Sequence, residues 1–101
     1  MRIEILYVPG CPNYQPALEG VKKALASESV ASEVHSLRVT TDAEAKALLF
    51  PGSPTVRVNG RDVEPSAVIV PGLACRIYPN GTGIPPEELV RAAISEAKRM
   101  E

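Results

Sequence analysis

The sequence predicts an α/β fold of order β-α-β-α-β-β-α, a four-stranded mixed sheet flanked by helices. Three observations carry that expectation. Short β-branched, apolar runs alternate with stretches in which apolar residues recur every three or four positions. Turn residues punctuate the boundaries, as in Pro51-Gly52-Ser53-Pro54 and Asn59-Gly60. Two early strands joined by a helix favour a parallel pair with a right-handed crossover, whereas the last two lack a helix between them and favour an antiparallel hairpin.

Residues 2 to 8 read as a buried strand that ends in Pro9-Gly10. From Pro12 to about Ser27, Tyr14, Leu18, Val21 and Leu25 draw one apolar helix face. Pro12 suits the first helical position, where its missing N–H would be unpaired anyway. Residues 33 to 39 read as a second strand. Thr41-Asp42-Ala43-Glu44 is a capping box, opening a short helix that ends near Leu49. After the loop Phe50 to Pro54, Thr55 to Val58 is a third strand closed by Asn59-Gly60. The stretch from Asp62 to Gly72 carries no clear pattern. Ala74 to Tyr78 is expected as the fourth strand, followed by the loop Asn80-Gly81-Thr82-Gly83. A last helix is expected from about Pro86 to Met100, with Leu89, Ala93 and Ala97 on one face.

A chain of 101 residues is expected to form one domain, residues 1–101, with one modest core. A hydrophobic share of 45% and a charged share of 23% are those of an ordinary soluble globular protein. The net charge of −1, without a basic run, gives no footprint for nucleic acid or a membrane surface. No apolar stretch approaches the roughly 18 residues of a spanning helix. The N-terminus enters a strand pattern directly and shows no signal peptide, so a cytoplasmic location is expected. The apolar run Ala67-Val68-Ile69-Val70 suits either a dimer contact or the core, and the sequence sets no oligomeric state.

Chemistry concentrates at Val8-Pro9-Gly10-Cys11-Pro12-Asn13-Tyr14: a strand, a tight turn and a helix with a thiol at its start. Unpaired N–H groups and the positive end of the helix favour a thiolate there. The opposite reading makes Cys11 a small, inert capping residue. Three residues on, where a second redox cysteine would sit, the chain has Tyr14, a wall aromatic or a hydroxyl donor to the Cys11 thiolate. His35, the only histidine, falls on an expected edge strand facing solvent, and Asp62 and Glu64 read as solvated turn residues. Two cysteines and one distant histidine do not supply the four ligands of structural zinc, and no cofactor is expected.

Across nearly its whole length the chain resembles the thioredoxin-like superfamily, in particular its small glutaredoxin-like members. Two signatures carry the resemblance: Gly10-Cys11-Pro12 at the start of the first helix, and Gly52-Ser53-Pro54-Thr55-Val56-Arg57-Val58-Asn59-Gly60. The resemblance implies a nucleophilic Cys11 beside a cis Pro54. Ser53 would then offer backbone groups to an extended substrate, and Pro12, Tyr14, Ser53, Pro54 and Thr55 would line its site. A dithiol enzyme resolves its mixed disulfide with a second cysteine, and Tyr14 cannot do so. The remaining routes are a monothiol cycle with a protein or glutathione disulfide, resolution by Cys75, or no turnover.

In a plain terminal hairpin, Cys75 would begin the fourth strand far from Pro54, two positions from the first strand at about 4.8 Å each. A disulfide needs Cα atoms within about 7 Å. Only if residues 62 to 72 run back to the active end does Cys75 meet Cys11. Otherwise Cys75 is an ordinary buried residue. Three functions follow: thiol-disulfide exchange centred on Cys11, a binding module, or a scaffold without chemistry. The binding module would hold Cu(I) or Hg(II) between the two thiols, or a peptide along the cis-proline loop.

Overall fold

The computed structural model describes residues 1–65 and 71–100, so the run Ala67 to Val70 lies outside the described residues. Its elements are β1 (Ile3–Tyr7), α1 (Tyr14–Ser27), β2 (Val34–Arg38), α2 (Asp42–Ala47), β3 (Thr55–Val58), β4 (Arg61–Asp62) and α3 (Glu87–Arg99). They form a mixed α/β fold around one open sheet of order β2-β1-β3-β4. β1 runs parallel to β2 with Ile5 opposite Ser36, and antiparallel to β3 with Leu6 opposite Thr55. β2 is thus an edge, and His35 is exposed on it.

Strand alternation divides the core in two. Ile3 and Ile5 of β1, with Val56 and Val58 of β3, pack against Val21, Ala24 and Leu25 of α1 and Val90, Ile94 and Ala97 of α3. Leu6 packs in a separate cluster with Val39, Ala45 and Phe50, beneath α2. Each large aliphatic side chain removed from water contributes about 1.5–3 kcal/mol. On α3 the buried line is Val90, Ile94 and Ala97, with Leu89 and Ala93 only partly covered.

The helix ends follow local chemistry. Thr41 Oγ1 accepts from the Glu44 N–H at 3.1 Å. The Glu44 carboxylate accepts from the Thr40 N–H at 3.2 Å and from the Thr40 hydroxyl at 2.7 Å, reaching one residue beyond the cap. Hydrogen bonds from the Thr40 side chain and backbone, then from Thr41, hold the Glu44 carboxyl below its ordinary value. At its other end α2 closes in a Schellman motif, with Phe50 N–H bonded to Ala45 O and Leu49 at φ 51°. The Arg57 guanidinium donates to the freed carbonyls of Leu48 and Leu49.

Two expectations about elements are corrected. The fourth strand is Arg61–Asp62, and Ala74 to Tyr78 is not a strand. The cause is Asn59-Gly60: both residues take positive φ, 52° and 80°, and reverse the chain in two residues, so that Val58 pairs with Arg61. The first helix begins at Tyr14 rather than Pro12. Pro12 and Asn13 form a tighter entry turn, in which Tyr14 N–H donates to Cys11 O at 3.3 Å.

Candidate functional site

Cys11 sits at the close of a β-turn. Its N–H donates to Val8 O at 3.1 Å, with Pro9 and Gly10 between them and Gly10 at φ 82°. Proline followed by a positive-φ glycine is the pattern of a type II turn. The turn lifts the chain off the end of β1 and leaves Cys11 partly exposed, two residues before the α1 N-cap, Asn13. Asn13 caps with its carbonyl, which accepts from Ala17 N–H, and not with its side chain. Gly83 packs on the Asn13 side chain, which brings the loop after Tyr78 against this same turn.

The loop before β3 adjoins it. The Ser53–Pro54 peptide is cis, and Ser53 and Pro54 are buried. The Ser53 hydroxyl accepts from Val8 N–H at 3.0 Å, locking the loop to the turn that carries Cys11. The backbone groups of Ser53 are occupied as well. Its N–H donates to Ala74 O at 2.9 Å, and its carbonyl accepts from Arg76 N–H at 3.0 Å. Ser53 and Cys75 thereby form a parallel bridge. A further bond, Gly72 N–H to Phe50 O at 3.1 Å, extends the contact, so residues 72–76 lie as a strap along residues 50–53.

The strap inverts its own hydropathy. Arg76 and Tyr78 are buried, while Cys75 and Ile77 are exposed, Ile77 by 69%. A buried guanidinium needs an opposite charge and full hydrogen bonding. Asp62 supplies the charge through two bonds, 2.6 Å from Nη1 to Oδ2 and 2.9 Å from Nη2 to Oδ1. Nη1 also reaches Thr55 Oγ1 at 3.2 Å, and the guanidinium carbon lies 4.3 Å from the centre of the Tyr78 ring. Tyr78 donates its hydroxyl to Pro54 O at 2.6 Å.

Burial works against the Arg76 charge. The Asp62 hydrogen bonds and the fields of Tyr78, Asp62 and Glu64 outweigh it and hold the guanidinium above its ordinary value. Burial likewise pushes the Tyr78 phenol well up, against the pull of Arg76. Asp62 is therefore an anchor and not a solvated turn residue, because the strap brings a cation onto it. Glu64, half-buried, donates its N–H to the same carboxylate.

These contacts set each candidate residue in place. Cys11 and Cys75 are both free thiols at the same end of the sheet, Cys75 exposed rather than buried. Thr55 is fully buried; its hydroxyl donates to Gly52 O at 2.6 Å and accepts from Arg76. Tyr14 stacks on Tyr7 with ring centres 4.2 Å apart, and its hydroxyl shares a 2.6 Å bond with Ser36 on β2. That hydroxyl is directed to β2 and not to Cys11. Pro12 is exposed. The sequence assigns no role to Arg76 or Tyr78 and places Asp62 in solvent, whereas the three are tied together here. The one signal for them was an arginine between two apolar residues, an acid upstream to match it.

Fold and site define a mixed α/β protein with two free thiols near one end of an open sheet. Comparisons with family models, curated proteins and solved structures return no match to the chain. Among the described residues, no group of three or more His, Cys, Asp or Glu side chains is placed to hold a metal ion. No described helix is long and apolar enough to cross a membrane.

Proposed function

We propose that this chain is a thioredoxin-like thiol-disulfide exchange protein, with Cys11 as the attacking thiol and Cys75 as the resolving one. The observation that carries the reading is the Ser53–Cys75 bridge. It sets an exposed thiol beside the loop whose Ser53 hydroxyl is bonded to the Cys11 turn. The β2-β1-β3-β4 order and the cis Ser53–Pro54 peptide agree with it.

In the reaction, the Cys11 thiolate attacks one sulfur of a disulfide RSSR and releases RS⁻, leaving Cys11 joined to SR. The Cys75 thiolate then attacks Cys11 Sγ and releases the second RS⁻. The two released thiolates take up the two protons lost by the cysteines. RSSR gains two electrons, and the protein retains a Cys11–Cys75 disulfide. A dithiol, or two thiols, reverses the process.

The test is intact mass and free-thiol count after mild oxidation, on wild type and Cys75→Ser. Loss of two hydrogens and of both thiols, abolished by the substitution, is the expected result. If both thiols persist and only Cys11 labels at neutral pH, resolution by Cys75 is wrong and a monothiol cycle replaces it. If neither labels before denaturation, the exchange reading fails.

A further inference from the structure

The backbone groups beside Cys11 that a partner peptide would need are already used. An extended peptide gains its affinity by adding as a strand, through main-chain bonds to unpaired N–H and C=O groups. On Ser53, the buried residue tied to the Cys11 turn, both groups are paired with the chain's own Ala74 and Arg76. The strap that fills this position is fastened at both ends. Upstream, Gly72 N–H is bonded to Phe50 O. Downstream, Arg76 is held by Asp62 and Thr55, and Tyr78 by Pro54. Gly52 adds a steric lock: the position of a Cβ there lies 3.1 Å from Ala74 O and 3.0 Å from Arg76 Cβ, so strap and loop are in closest contact. Gly83 of the following loop adjoins both the Asn13 side chain and the Arg76 carbonyl, closing the strap against the helix entry. Cys11 itself keeps partial exposure.

We infer that the substrate of this site is a low-molecular-weight disulfide of the glutathione type, and that the strap 72–76 excludes extended protein segments by standing in their place. The inference rests on the exchange reading. It fixes which disulfide Cys11 meets in the exchange: RSSR is small, and RS⁻ leaves as a free small thiolate.

The experiment uses full-length Cys75→Ser, in which a mixed disulfide on Cys11 cannot be resolved and accumulates. Its rate of formation is followed by mass spectrometry with two probes. One is glutathione disulfide; the other is a peptide disulfide with four residues on each side of its cysteine. Each rate is divided by that of a free reference thiol with the same probe, which removes intrinsic reactivity. The flanked peptide is expected to react at least about tenfold more slowly on this scale, about 1.4 kcal/mol, because the strap occupies the space its flanking residues need. Equal or faster reaction of the flanked peptide overturns the inference and leaves exchange by Cys11 standing. Modification by neither probe overturns the exchange reading and the inference with it. A second variant, Asp62→Asn in the same background and shown to be folded by circular dichroism, loosens the anchor. It is expected to raise the peptide rate selectively; an unchanged ratio in the folded variant contradicts exclusion by the strap. If Asp62→Asn does not fold, the two-probe comparison decides alone.

Discussion

Asp62 and Arg76 form a two-pronged ion pair, 2.6 and 2.9 Å, between the shortest strand of the sheet and the strap that carries Cys75. Both side chains are largely buried, at 12% and 6% exposure. A pair of this kind adds little over a well-packed apolar pair, but its cost when half is removed is large. Asp62→Ala is expected to destabilise the fold by about 3–5 kcal/mol, because the buried Arg76 charge loses its paired carboxylate. The double variant Asp62→Leu with Arg76→Met is expected to recover most of that loss. Urea unfolding of the three proteins checks both, and a single variant within about 1 kcal/mol of wild type would refute the anchoring role.

Gly52 is a second point of control over the same strap. Its φ of 140° is unfavourable for any side chain, and a Cβ would lie 3.0 Å from Arg76 Cβ. Gly52→Ala combines backbone strain with overpacking and is expected to cost about 2–4 kcal/mol. The strap should move before the sheet does. In hydrogen exchange, the Arg76 amide, which donates to Ser53 O, should lose protection while the amides pairing β1 and β2 keep theirs.

Tyr78 gives stability an alkaline limit. Its phenol is raised in the folded protein from the ordinary 10.0, mainly by burial. A group raised on folding supports the fold fully below its unfolded value. Above pH 10.0 the unfolded chain loses the proton first, so stability falls as pH rises. The fall is expected to approach about 1.4 kcal/mol per pH unit from this group. Tyr78→Phe should flatten that part of the profile. At neutral pH it should also cost about 1–3 kcal/mol, because the buried Pro54 carbonyl loses its donor. Unfolding free energies of both proteins from pH 7 to 11 measure the two effects.

Local chemistry made most of the elements legible. The apolar residues of α1 recur at helical spacing, and its core-facing side chains Val21 and Leu25 were read from that spacing alone. Thr41 and Glu44 mark the start of α2 through bonds that span three residues. Asn59-Gly60 signals a reversal whatever surrounds it, although the strand that follows, only two residues long, is too short to leave a pattern of its own. Cys11 could be singled out because a strand, Pro-Gly and a thiol lie within a few residues of one another.

Residues 72–78 show where local reading stops. Hydropathy alone turns Cys75 and Ile77 inward and Arg76 outward, the reverse of their placement. The decision belongs to Asp62 and Thr55, 14 and 21 residues away, whose oxygens make a buried guanidinium favourable. Once Arg76 turns in, Cys75 must turn out, because neighbours in an extended segment face opposite ways. Sequence by itself therefore determined the helices, the turns, three of the strands and the first thiol, since each is encoded by residues close together. Tertiary structure alone decided the position of the second thiol and the occupation of Ser53, because charge pairing and backbone bonding there join segments whose separation no local pattern records.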